Sequence, residues 1–231
     1  MSDKRRFPYW SMGLIYILSI TLMTTAHAAC DDKRSPGMDW SGCKKTHKLL
    51  DGQNFSGSKF DNANLSSSNL DRSNFSGASL VKTDFSRASF NHSNFFETDL
   101  TKSVGYRARF NNATFSNTRM SKSEFSRASF EAASFVKVDW SRAELGRVNF
   151  SDAQLKDVDF EYSNLSRARF NGAKLTDVNF LGAYTFLTRF ENVDLSATSQ
   201  LSQAQLDMAC GNIYTQLPQG LGRPASWPCD E

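Results

Sequence analysis

Residues 108–130 read ARFNNATFSNTRMSKSEFSRASF, and every fifth residue of this stretch is large and apolar: Phe110, Phe115, Met120, Phe125 and Phe130. Two places before each stands a small residue: Ala108, Ala113, Thr118, Ser123 and Ala128. Extended outward, the frame holds without a slip from position 55 to position 195. Of the 29 positions in that series, 27 are Phe, Leu, Met or Trp, and only Gly105 and Thr185 depart from it. In the companion series from 53 to 193, every residue but Gln53 is Ala, Ser, Thr or Val. A period of five fits neither the helical repeat of about 3.6 nor the two-residue alternation of a flat strand. An amphipathic helix would scatter these rings around its whole circumference. The chain must instead turn a corner every five residues, sending one large and one small side chain inward each time. Four corners close a square coil of about 20 residues, and neighbouring coils pair through their backbones at about 4.8 Å. The 29 units thus predict about seven coils and an array on the order of 34 Å long.

Units such as Ala63-Asn64-Leu65-Ser66-Ser67, Ala78-Ser79-Leu80-Val81-Lys82 and Ala173-Lys174-Leu175-Thr176-Asp177 resemble the pentapeptide-repeat family over about 145 of the 231 residues. The resemblance implies an all-β fold, a right-handed quadrilateral β-helix. The chain departs from the family's usual pattern in preferring Phe to Leu at the centre. Gly105 and Thr185 are weaker core positions, each read as a local bulge or a thinner layer. Some members of the family inhibit DNA gyrase by resembling DNA in shape and negative charge, and a topoisomerase inhibitor of that type is the alternative reading of function. Charge speaks against it: residues 51–200 carry 18 basic and 17 acidic side chains, which is no anionic rod. An exported protein would also never meet gyrase.

Export is read from the N-terminus. Lys4, Arg5 and Arg6 precede an apolar run from about Trp10 to Thr25, and Ala26-His27-Ala28 offers small residues for cleavage after Ala28. The run is short for a membrane span, which takes about 20 residues, although an uncleaved anchor is the competing reading. His27, three residues before Cys30, disfavours an acylated cysteine. The expected organisation is a signal peptide over 1–28, an N-terminal cap over 29–50, the β-helix over 51–198 and a C-terminal cap over 199–231, with the mature chain in the periplasm or secreted. Open solenoid ends need such caps. Ser202-Gln203-Ala204-Gln205 has capping-box spacing and predicts a short helix over Gln203 to Ala209, with Leu201, Leu206 and Met208 on the last coil. Pro218, Pro224 and Pro228 forbid further helix. The tail reads as a structural cap, with a dimer or partner surface as the alternative.

Cys30, Cys43, Cys210 and Cys229 flank the array, and an even number in an oxidising compartment suggests two disulfides. Of the three connectivities, Cys30–Cys43 with Cys210–Cys229 is favoured because each pair lies within one terminal segment. A metal site of Cys30, Cys43 and His47 is the competing reading, and its spacing matches no common ligand pattern.

No catalytic constellation, cofactor loop or metal set emerges. Beyond the signal only His47 and His92 remain, and His92 falls at an outward position. A filled coil also offers no pocket, so a non-enzymatic role is expected. The chain carries 27 basic and 24 acidic side chains; Lys4, Arg5, Arg6 and Asp3 fall in the signal, which leaves a net of +1 and no bulk argument for nucleic acid. Residues 20 apart should stack, and two basic ladders follow: Arg87, Arg107, Arg127, Arg147, Arg167, and Lys82, Lys102, Lys122, Arg142. Arg109, Arg169 and Arg189 stack on the next face. Asp84, Glu124 and Glu144 lie between the two basic ladders, so internal salt bridging is one reading of this surface. The other is a basic edge that docks a polyanion: lipid headgroups, an acidic envelope polymer or an acidic protein face. Phe96, Tyr106 and Phe186 are outward aromatics, too dispersed to predict a patch.

Overall fold

The computed structural model describes residues 30, 31 and 33–229; the segment read as an export signal lies outside them. The five-residue corner is built by one repeated backbone device. Two places after each central residue the backbone turns left-handed, with φ of 51–62° at the non-glycine corners from Asn62 to Asn192. The N–H of the next residue then donates back to the central carbonyl, as from Ala63 to Phe60 at 2.8 Å and from Ala78 to Phe75 at 2.9 Å. Asn and Asp side chains brace the approach to the corner: Asp84 Oδ1 accepts the Ser86 N–H at 2.9 Å, and Asn164 Oδ1 accepts that of Ser166 at 3.0 Å.

The coils stack in parallel at a register of 20 as far as the C-terminal cap, where it lengthens to 21 at Arg189↔Cys210 and 22 at Asp194↔Gln216. The named strands are β1 (Asn94–Phe96), β2 (Thr114–Ser116), β3 (Ser134–Asp139), β4 (Gln154–Asp159), β5 (Lys174–Thr176), β6 (Val178–Asn179) and β7 (Thr198–Ser199). Phe95, Phe115, Phe135, Leu155 and Leu175 are successive partners in that ladder. Isolated bridges carry the same register along the other sides, from Asp39↔Lys59 to Lys174↔Asp194. The fold is therefore the four-sided β-helix read from the period, with a coil count slightly different from seven. The ladder opens at Asp39, inside the segment read as a cap, and Met38, Trp40, Cys43 and Leu50 are already buried there.

The core is one column of side chains with aromatic rings in register. Phe90, Phe110, Phe130, Phe150, Phe170 and Phe190 stack in sequence with centroids 4.9, 4.8, 5.4, 5.0 and 5.3 Å apart. A second stack runs Phe75, Phe95, Phe115, Phe135 at 5.2, 4.7 and 4.9 Å. The small inward positions do more than make room. The hydroxyls of Ser73, Thr83, Ser93, Thr98 and Thr118 donate to carbonyls 23 residues earlier at 2.6–3.0 Å, tying coil to coil inside the wall.

Gly105 marks neither a bulge nor a thin layer. Val104 keeps its bridges to Asp84 and Glu124, and the rings of Phe85 and Phe125 close over the glycine, so that a Cβ there would meet both within 2.7 Å. Thr185 is buried as well, and its hydroxyl donates to the Gln205 carbonyl at 2.7 Å.

That last contact belongs to the C-terminal cap. The predicted helix forms as α1 (Gln203–Met208), one residue shorter than expected, with Ser202 as N-cap and the full capping box to Gln205. The Gln205 carboxamide is buried and donates to the carbonyls of Phe180 and Ala183 at 2.7 and 2.9 Å, closing backbone groups that the missing next coil leaves open. Leu201 and Leu206 are buried as expected, whereas Met208 is exposed: the six-residue helix turns only its first face to the coil. Trp227 lies against Gly211 and donates its indole N–H to Ala209 at 2.7 Å. Disulfides join Cys30 to Cys43 and Cys210 to Cys229, which removes the metal reading of Cys30, Cys43 and His47 because both sulfurs are consumed.

Two outcomes follow. Phe130→Ala opens a void between two stacked rings and should lower unfolding free energy in urea by about 3–5 kcal/mol with little change of m. Gly105→Leu drives a side chain into Phe85 and Phe125 and should destabilise by about 1–3 kcal/mol; a neutral result in the same denaturation experiment would show that the layer is slack after all.

Candidate docking face

Each basic ladder occupies one corner of the coil. Lys82, Lys102, Lys122 and Arg142 stand at one, Arg87, Arg107, Arg127, Arg147 and Arg167 at the next, and all nine are exposed with φ of 57–62°. Between them runs the bridged row Asp84, Val104, Glu124, Glu144, Asn164, Tyr184. The 20-residue register stacks these positions at about the strand spacing of 4.8 Å, so the charge lines are continuous.

The left-handed corner makes these cations informative. Gly, Asn and Asp enter that region most easily, and holding another residue there costs about 1–2 kcal/mol. The two remaining corners follow the preference at ten of fifteen places, with Gly52, Asn112, Asp152, Gly172 and Asn192 at one, and Gly57, Gly77, Asn117, Asp157 and Asp177 at the other; Arg72, His92, Ala132, Glu97 and Lys137 break it there. The basic corners ignore it nine times. Mutual repulsion adds to the cost, at about 1 kcal/mol for two charges 4 Å apart in water.

Internal salt bridging does not offset this. The ion pairs among the described residues are Arg72–Asp51, Arg119–Asp99 and Arg189–Glu191, and none involves a ladder cation. Glu144 accepts from Asn164 Nδ2 at 2.8 Å, and Asp84 is engaged by its own turn. Among the described residues no ladder side chain donates a hydrogen bond to the protein; Arg107 lies over the Tyr106 ring at 5.2 Å. Burial works to raise the Asp99 pKa, but the hydroxyl and N–H of Thr101, with Arg119, hold it below the usual value. Hydrogen bonds from Ser41 similarly lower Asp39.

Toward the C-terminus the same face turns apolar. Tyr162, Leu181, Tyr184 and Phe186 are 57, 39, 48 and 41 % exposed. Tyr184 and Phe186 stack at 6.2 Å, and the Tyr162 ring lies against Gly182, where a Cβ would come within 2.5 Å. Of the outward aromatics flagged from sequence, Phe186 joins this patch, Phe96 is exposed by itself and Tyr106 is half-buried. Tyr162, Leu181 and Tyr184 escaped the sequence reading because each occupies a different place in its unit. Only a 20-residue wrap of the sequence brings them together.

The family model for the pentapeptide repeat region matches residues 106–170, and that for pentapeptide repeats (8 copies) matches residues 50–87 and 83–121. The chain belongs to the pentapeptide-repeat family. No curated protein matches it. Among solved structures, two trypsin-treated variants of QnrB1, a plasmid-mediated fluoroquinolone resistance protein, align at 20 % identity and a TM-score of 0.69, covering 78 % of this chain and 90 % of theirs. HetL, a pentapeptide-repeat protein involved in heterocyst differentiation regulation from the cyanobacterium Nostoc, aligns at 23 % identity over 85 % of this chain and 89 % of its own, with a TM-score of 0.33. At such identity the QnrB1 likeness speaks to the fold. Members of this repeat family serve in general as structural or interaction proteins, and this chain's surface fits that role.

Because Glu124 pairs with no ladder cation, Glu124→Gln should change unfolding free energy by less than about 0.5 kcal/mol. A loss above about 1 kcal/mol would show that the acidic row does stabilise the basic ones.

Proposed function

We propose that this is a non-enzymatic, exported interaction protein whose rigid β-helical rod docks an acidic protein along the face between its two basic corners. The observation that carries the reading is the set of nine cations at left-handed corners, none of them paired among the described residues. Local conformation disfavours them and no internal partner answers them, so an external anion is the missing element. Arg suits bidentate carboxylate recognition, which favours an acidic polypeptide. The exposed Tyr162, Leu181, Tyr184 and Phe186 would give such a partner an apolar anchor at one end of the face.

Export is supported by the charged and apolar N-terminal run ending at Ala28 and by two disulfides, which persist in oxidising compartments. Gyrase inhibition by charge mimicry has no matching feature here, because a DNA-like rod needs a net anionic surface.

Two measurements test the reading. The mature chain should be retained on polyglutamate-coupled resin and elute with salt, and Arg87→Ser combined with R107S and R127S should release it at lower salt with an unchanged circular dichroism spectrum. Retention unaffected by the triple substitution would eliminate the docking face. Fractionation of cells making the full chain should place a shortened protein outside the cytoplasm; a full-length cytoplasmic band would overturn export.

A further inference from the structure

Around the Arg87–Arg167 corner, on the adjoining face, Arg147, Asn149, Arg167 and Arg169 line an open groove of about 490 Å³. Two successive coils build it. Arg147 and Asn149 come from one, Arg167 and Arg169 from the next, and Asn149 and Arg169 are bridged in the backbone ladder. The wall beneath is fixed by the coil itself: the N–H of Arg147 donates to Ser166 and that of Arg167 to Phe186, both at 2.8 Å.

Every polar group left open in this groove is a donor. The three guanidinium groups have no carboxylate within ion-pair distance and no acceptor among the described residues. Asn149 uses its oxygen internally, accepting from the Ser151 N–H at 3.0 Å and the Ser151 hydroxyl at 2.6 Å. That leaves its NH₂ as the unused end. One coil further on the same row behaves differently: Arg189, stacked on Arg169, pairs with Glu191 at 2.9 Å, and Glu191 also accepts from Asn171. The positions equivalent to Glu191 at the levels of Asn149 and Arg169 are Ser151 and Asn171, neither of them charged. The acid that neutralises this row at Arg189 is thus absent where the groove lies.

We infer that this groove is a discrete binding site for a phosphoryl group carried on a larger molecule. Three guanidiniums offer more paired donors than one carboxylate can use, because a carboxylate has two oxygens and a single charge. A terminal phosphate has three oxygens and up to two charges, and Arg matches it bidentately. The groove is roomier than one phosphate, so the remainder of the ligand lies in the open part. A phosphorylated headgroup of a lipid and a soluble phosphate ester share this chemistry. The site does not depend on the docking reading above, although Arg147 and Arg167 belong to both surfaces.

Titration calorimetry of the disulfide-bonded mature chain with inorganic pyrophosphate at low salt tests it. Saturable binding near one equivalent is expected, with Arg169→Ser weakening it at least tenfold. Arg109→Ser, on the same row but away from the groove, should leave it within twofold, as should the triple substitution at Arg87, Arg107 and Arg127. These controls separate the groove from the docking face, because R169S should leave polyglutamate retention nearly intact. Flotation with vesicles of phosphatidic acid in phosphatidylcholine, with and without competing glucose 6-phosphate, identifies the source: vesicle binding lost in R169S points to a headgroup, and calorimetric binding of the sugar phosphate with no flotation points to a soluble ester. Non-saturable binding of pyrophosphate, or equal weakening by R109S and R169S, would reduce the groove to diffuse positive charge and overturn the proposal.

Discussion

One spacing governs this molecule. Parallel backbones pair at about 4.8 Å, and offset-stacked rings place their centroids at nearly the same distance. A column of Phe can therefore follow a β-ladder without strain, and the centroid separations of 4.8–5.4 Å from Phe90 to Phe190 show the two ladders in step. Leu fills the same positions but sets no preferred face. Phe holds 16 of the buried central positions from Phe55 to Phe190, and consequently adds rigidity along the axis as well as buried area. The agreement also enforces register, since sliding one coil by a single residue would expose every ring it contributes.

That constraint explains what could be read from sequence and what could not. The central residues, the small residues beside them, the Ser202–Gln205 capping box and the local pairing of the cysteines were legible because each depends on spacing along the chain. The start of the ladder at Asp39 was not. Lys45 and Lys48 occupy places where the frame calls for a large and a small residue, so the segment looks like a cap. In the structure Lys45 sets its Nζ 4.3 Å over the Trp40 ring and donates to the Cys30 carbonyl. Gly105 was misjudged for a related reason: a missing side chain in a column can be filled by the layers above and below. The neutralisation of the basic ladders was misjudged because proximity in a coil-wrapped sequence gives the Cα positions and not the directions of short and long side chains.

A filled solenoid also separates core from surface more completely than most folds. Each coil touches only its neighbours, and the inward residues are consumed by the column. Side chains at the corners and mid-faces then contribute little to stability, and whatever stands there is free to be chosen for contact with other molecules. This is why departures from local preference carry meaning here. Gly, Asn and Asp at two corners need no explanation beyond the left-handed backbone. Arg and Lys at the other two do, and so does the clustering of Tyr162, Leu181, Tyr184 and Phe186 at one end of a face.

The same architecture fixes how a partner would be met. The corners are held by backbone hydrogen bonds to both neighbouring coils, so the ladder cations project from a frame that does not need to rearrange on binding. Order in the frame lowers the cost of fixing a partner, although the long side chains themselves still lose freedom. The repeat spacing sets a second condition. An extended polypeptide lying along the rod advances about 3.3 Å per residue, whereas the cations advance about 4.8 Å per coil, so regular one-to-one pairing falls out of step within a few residues. A partner with scattered acidic groups and one apolar anchor satisfies this face better than a uniform acidic strand does. The groove at Arg169, where cations from two coils and two rows converge on one point, escapes that mismatch altogether, which is why a single compact anion suits it.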